Sequence, residues 1–204
     1  MSFPVDLTAA LSGASVAQLH SWRRTHLLEP EVQDNPVRYS FRDVVALRTF
    51  VYLRSKLPLQ RIRKAMDQLR RWDLTEHPAS YKLVTEGDSV FLVEEERAID
   101  LVRRPGQEVI YSLANVFAPF ENMQGRSVAD FRRPRPHLEV KENRLGGWPT
   151  IQGTRVPYDA VAKLVAGGVA PAEVHRFYPT VEVSGAADAA DFHQEVMQIG
   201  GRAA

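Results

Sequence analysis

The sequence predicts a mainly α protein with a small antiparallel β element, and three observations predict it. Apolar residues recur at helical spacing from Phe41 to Leu69. The period drops to two between Tyr81 and Tyr111, where short apolar runs are separated by turn-forming residues. After Pro157 the helical period returns in short pieces punctuated by glycine and proline. A chain of 204 residues with this patterning suits two or three small domains.

Each element has a local reason. Leu7 to Ser12 reads as a short helix stopped by a turn at Gly13. Ser15 then offers an N-cap hydroxyl to a second helix, from Val16 to about Thr25. Val16 and Leu19 can pack inward, Gln18, Ser21 and Trp22 leave that face, and Arg23 and Arg24 close the helix. Helix, glycine turn and helix with polar and basic residues on the open face make a helix-turn-helix pattern. Pro30 to Pro36 is turn-forming, and Val37 to Ser40 can be the returning strand of a β-wing. Ser40 caps a third helix with Asp43 as the acid of a capping box, and Pro58 separates it from a fourth, Leu59 to about Trp72.

The middle changes character. Tyr81 to Thr85 and Val90 to Val93 read as a hairpin, Ala98 to Val102 as a third strand, and Val109 to Tyr111 as a fourth. Ser112 to Phe120 reads as a short apolar helix. From Gln124 to His137, Arg126, Arg132, Arg133 and Arg135 are interleaved with Pro134 and Pro136, which keep the chain extended. This stretch is expected to be a linker, or an arm that follows an acidic partner surface or a DNA phosphate track. Leu138 to Lys141 reads as an edge strand leading into the window GGxPxIxGTRVP, from Gly146 to Pro157. Short helices follow from Tyr158, Pro171 and Ser184, a trihelical unit of homeodomain-like character. Arg155 is expected to satisfy backbone carbonyls of the window's turn. The expected divisions are 1–76, a β-rich middle 77–123, the Arg/Pro linker 124–137, and a C-terminal module 138–204.

Charge is segregated. Residues 1–72 hold 12 Lys/Arg against 6 Asp/Glu, net +6, and the remainder holds 14 against 19, net −5. A basic first third suits a polyanion. The six histidines have no paired metal-ligand spacing, and no GxSxG or glycine-rich phosphate loop occurs, so neither catalytic residues, metal nor cofactor is expected. With no cysteine there is neither a disulfide framework nor a thiolate site. No apolar run approaches the roughly 20 residues of a membrane span, and the first residues lack a signal peptide's pattern. A cytoplasmic protein is expected.

The N-terminal third resembles the MerR-type winged-helix DNA-binding domain. Gly13, Ser15, Leu19, Arg24, Leu27, Leu28 and Pro30 match that pattern without a gap, and Arg38, Tyr39, Ser40, Asp43, Val44, Leu47, Leu59 and Ile62 continue it. His20, Ser21, Arg23 and His26 depart from it. The resemblance implies a recognition helix in the major groove. Gln18 suits paired hydrogen bonds to adenine and Arg23 or Arg24 to guanine, each worth roughly 1–3 kcal/mol of discrimination. Ser15, Arg38, Tyr39 and Arg42 suit phosphate contacts. His20 and Trp22 lie on the same helix, although Trp22 and Tyr39 can equally be core aromatics and Arg42 can pair with Asp43 or Asp67.

Residues from 138 onward resemble the domain of unknown function, family 433, through GGxPxIxGTRVP, Phe177-Tyr178-Pro179 and the alanine-rich run from Ala186 to Ala190. The two resemblances together look like the antitoxin of a VapBC-type toxin–antitoxin pair. That implies a PIN-like ribonuclease toxin as partner, operator DNA bound by a homodimer, and repression of the chain's own operon. Arg132, Arg133 and Arg135 are the candidate partner-binding residues. The rival reading is a stand-alone MerR-like transcriptional regulator.

Overall fold

The structure, a computed structural model, describes residues 2–32, 35–74, 76–80, 82–86, 89–94, 97–102, 108–110 and 116–201. The expected mainly α architecture is present. Helices α1 (Val5–Ser12) and α2 (Val16–Arg24) form the helix-turn-helix, followed by α3 (Phe41–Lys56) and α4 (Leu59–Arg71). Gly13 ends α1 at φ 78°, its amide donating to the Ala9 carbonyl. This left-handed geometry is open to glycine at no steric cost.

The returning strand of the expected wing has a different partner. β2 (Arg38–Tyr39) pairs antiparallel with β1 (Phe3–Pro4), Phe3 opposite Tyr39. The strand therefore closes on Phe3–Pro4, and the pairing buries both Phe3 and Tyr39.

β3 (Lys82–Glu86), β4 (Ser89–Glu94), β5 (Arg97–Asp100) and β6 (Glu108–Ile110) form an antiparallel meander in that order. The turns expected around Gly87 and around Pro105 lie outside the described residues. The helix expected from Ser112 to Phe120 is not present in its described part. Residues 116–118 turn, and Phe120 enters β7 (Phe120–Glu121), which pairs with β8 (Ser127–Val128).

The C-terminal module begins with β9 (Leu138–Glu139) paired to β10 (Thr150–Ile151). α5 (Tyr158–Ala166) follows, then a short 3₁₀ segment (Pro171–Arg176) and α6 (Val183–Gly201). Within the window, Glu139 holds the turn. Its Oε1 accepts the Gly153 amide at 2.9 Å, and it pairs with Arg144 and Lys141. Thr154 completes the turn, its hydroxyl donating to the Ile151 carbonyl and accepting the Val156 amide, both at 3.0 Å. The carbonyl-satisfying role expected of Arg155 is thus taken by the Thr154 hydroxyl, while Glu139 accepts an amide of the same turn. Arg155 is exposed.

One hydrophobic core runs through both ends of the chain. α6 buries Gly185, Ala186, Ala189, Phe192 and Val196, and its last turn reaches α1, where a Cβ on Gly200 would sit 3.5 Å from Asp6 Cβ. Trp148 stacks on Phe3 with centroids 5.6 Å apart and donates its indole N–H to Asp159 at 2.9 Å. Residues 124–137, expected as a linker, are part of this packing. Val128 and Phe131 are both 3% exposed, and Phe131 meets Phe41 and Phe117. Apolar side chains every few positions give the Arg/Pro stretch an inward face that composition alone concealed.

The hub is Arg48, 1% exposed in the middle of α3. Its Nε donates to the Val116 carbonyl, Nη1 to Leu11, and Nη2 to Phe117, Ala118 and Ala129, at 2.7 to 3.1 Å. The guanidinium lies 5.1 Å from the Phe120 ring and 5.6 Å from that of Phe131. Burial pulls its pKa down to about 10, with nearby Asp130 opposing the shift, so it stays charged at neutral pH. A planar fork of donors suits convergent carbonyls as no other side chain does.

Candidate nucleic-acid interface

α2 is preorganised from its first residue. Ser15 Oγ accepts the Gln18 amide at 3.1 Å, and Gln18 Oε1 accepts the Ser15 amide at 2.8 Å. This capping box satisfies two otherwise unpartnered amides. It also fixes the roles of both residues: Ser15 is a cap, and Gln18, expected at a base edge, has its carbonyl oxygen committed to the helix start.

Two other expected contact residues are in the core. Trp22 is 3% exposed and packs edge-on against Phe50 with centroids 6.1 Å apart, and Tyr39 is 1% exposed. Burial pushes the Tyr39 phenol up. Neither ring can reach DNA, and Trp22 takes this place because it shares an inward stripe with Leu19. Arg38 is half-buried and donates to the Ser2 carbonyl at 3.0 Å, tying down the N-terminus. Arg42 pairs with Glu31 at 3.2 Å and donates to Ser80 Oγ at 2.9 Å.

His20, Arg23 and Arg24 remain, all exposed on α2. With Ala17 they form one open face of a helix that carries no acid. Among the described residues, no hydrogen bond or ion pair holds these three side chains. α4 extends the cationic surface beside the end of α2: Arg63 donates to Thr25 Oγ1 at 3.0 Å and Arg70 to the His26 carbonyl at 3.3 Å. Arg23 and His26 also line a groove with Glu29, Pro30, Val32, Asn35 and Val37, so the loop after α2 flanks its C-terminal end.

Among the described residues one group brings metal-ligand types together, Glu31, Asp43 and His77, their ligand atoms all within 4.8 Å. Its hydrogen bonds give it another role. His77 Nδ1 accepts the Ala79 amide at 3.2 Å, so Nε2 carries the proton and donates it to Asp43 Oδ1 at 3.0 Å. Asp43 Oδ2 accepts the Ser40 and Glu31 amides at 2.7 and 3.1 Å. The group is a clasp joining the start of α3 to the loop before it and the segment after α4.

The candidate partner-binding arginines are divided. Arg135 donates to Asp191 at 2.5 Å and Glu195 at 2.8 Å, and lies 5.4 Å from the Phe192 ring. Burial opposes its charge, but these two carboxylates outweigh that and raise its pKa. Arg132 lies 5.0 Å from the Phe117 ring. Arg133 is exposed.

Comparison with known proteins places both ends of the chain. Residues 4–69 match the model described as MerR HTH family regulatory protein, and residues 138–192 match that described as a protein of unknown function, DUF433. The chain carries a MerR-family helix-turn-helix domain at its N-terminus and a DUF433 domain at its C-terminus. No curated protein matches it in sequence. Its fold is similar to the crystal structure of Rv2018 from Mycobacterium tuberculosis, with a TM-score of 0.55 and 14% identity over 93% of this chain and 96% of that one. No helix among the described residues is long and apolar enough to cross a membrane.

Proposed function

We propose that this chain, MerR-type at one end and DUF433 at the other, is an operator-binding antitoxin of a type II, VapBC-like pair. It binds operator DNA as a homodimer and represses its own operon, and its C-terminal module neutralises a PIN-like ribonuclease toxin. The observation that carries the DNA half is the open face of α2: His20, Arg23 and Arg24 stand unengaged among the described residues, on a capped helix without an acid. Free guanidinium groups at a recognition helix read guanine edges or grip phosphates.

The partner half is supported by α6. Val183 and Met197 are 54% and 57% exposed, and they share a helical stripe with exposed Ala187. Phe177, beside them in sequence, is 57% exposed. Of the four large hydrophobics exposed on the described surface, three belong to this module, so a protein partner is best placed there. Arg133 is the arginine of the 132–135 stretch free to assist, since Arg135 is held by α6 itself.

Three measurements test the proposal. Replacing Arg23 and Arg24 by alanine should remove specific binding to the duplex upstream of the chain's own gene, each arginine accounting for about 1–3 kcal/mol of discrimination. Two-fold dimers should protect half-sites about 34–36 Å apart or a multiple of that. Co-expression with the neighbouring gene product should yield a complex and suppress that product's toxicity. If that product neither co-purifies nor is toxic alone, the antitoxin role falls and a DNA-binding regulator is left.

A further inference from the structure

The hairpin of β7 and β8 belongs to neither matched domain, yet it is fixed to the helix-turn-helix turn. Asn122 closes it: its Oδ1 accepts the Gln124 and Arg126 amides, both at 3.0 Å, and its own amide donates to the Arg126 carbonyl at 2.9 Å. Val128 fills the space where a Cβ on Gly13 would come within 2.6 Å. Asn122 Nδ2 and Arg126 Nη2 both lie 3.4 Å from the Gly13 carbonyl oxygen. At its base, Phe120 packs edge-on against Tyr52 and under Arg48. These contacts hold the hairpin against the turn between α1 and α2.

Its position is what matters. Arg126 lines a groove of about 470 Å³ with Ala14, Ser15, Val16, Ala17 and His20, the first turns of α2. Arg126 is exposed and shares the lining of this groove with His20 and with Ile199 of α6. The hairpin's acid, Glu121, is exposed and pairs with Ser127 in the rung next to the loop of residues 122–126 that carries Arg126. Glu29, Pro30, Val32, Asn35 and Val37 flank the other end of α2. α2 is therefore bracketed at both ends.

We propose that the β7–β8 hairpin is a second DNA-binding wing, with Arg126 contacting a phosphate of double-stranded DNA beside the groove that α2 enters. The inference rests on the reading of α2 as a recognition helix. The N-terminal residues of such a helix go to the base edges. A hairpin held against that end meets the adjoining sugar–phosphate wall, where an exposed guanidinium matches phosphate. A contact of this kind sets register and salt dependence without reading sequence.

The test is a salt titration of full-chain binding to a labelled duplex from upstream of its own gene, and to an unrelated duplex. Arg126→Ala should weaken binding to both in proportion and lower the slope of log affinity against log salt by about 0.9, one phosphate contact. Arg126→Glu should weaken it further, and unfolding curves of both variants read separately what the 3.4 Å contact with the Gly13 carbonyl contributes to stability. Removing the duplex end that the hairpin covers should bring the wild type down to the level of Arg126→Ala. If both variants keep the wild-type slope while the Arg23, Arg24 double variant loses binding, the second wing is refuted and the reading of α2 stands. If the wild type binds neither duplex, both fall.

Discussion

Arg48→Ala is expected to lower stability by about 4 kcal/mol or more, read as a shift in the midpoint of chemical or thermal unfolding. Five carbonyl oxygens from three separate segments lose the guanidinium in one step: Leu11 at the end of α1, Val116 to Ala118 before β7, and Ala129 after β8, with the Phe117 oxygen keeping the Phe131 amide at 2.8 Å. Each buried acceptor left without a partner costs about 1–3 kcal/mol, and rehydration recovers only part of the total. Domains have stabilities of about 5–15 kcal/mol, so the variant should stand near its unfolding threshold. Arg48→Lys should recover little, because one ammonium cannot serve carbonyls arranged around a planar fork. A change below about 1 kcal/mol, the ordinary cost of a point substitution, would show that these contacts do not hold the middle segment to the helix-turn-helix.

The second large effect is expected at Gly147 in the GGxPxIxGTRVP window. Its φ is +83°, and a Cβ would lie 2.1 Å from Cδ2 and 2.5 Å from Cε2 of Phe41, the first residue of α3. Phe41 cannot easily yield, since its ring is packed against Phe131. Gly147→Ala should cost about 1–2 kcal/mol for the left-handed backbone and about 1–3 kcal/mol for overpacking. Gly153, in the same window at φ +75°, has open space around it, so Gly153→Ala should carry the backbone cost alone. A double-mutant cycle of Gly147→Ala with Phe41→Ala isolates the clash. Equal losses at the two glycines would refute the close approach. The window's first glycines thus let the C-terminal module approach the DNA-binding module.

Much of the helical framework was legible because its causes are local. Ser15 and Ser40 announce helix starts, Gly13 and Pro58 announce stops, and the apolar spacing of α3 and α4 fixes their inward faces. The site was less legible. Trp22 and Tyr39 have the chemistry of contact residues, and only the positions of Phe50 and Phe3 show that both are buried. Gln18 and Arg42 were claimed by short-range partners, the Ser15 amide and Glu31. Arg48 carried a signal that went unread: an arginine in the same helical phase as Val44, Leu47 and Val51 is buried and needs acceptors.

By itself the sequence determined the helices of the first third, that this third is basic, and which two modules the chain carries. Those properties rest on neighbours within a few residues and on composition. The tertiary structure decided which side chains stay free for a partner. It joined residues 124–137 to the core, drew Arg135 to Asp191 and Glu195, and set Arg126 beside the start of α2. The physical reason is that burial and pairing depend on residues distant in the chain. A guanidinium is a structural clamp or a DNA ligand according to which acceptors the fold brings within about 3 Å of it.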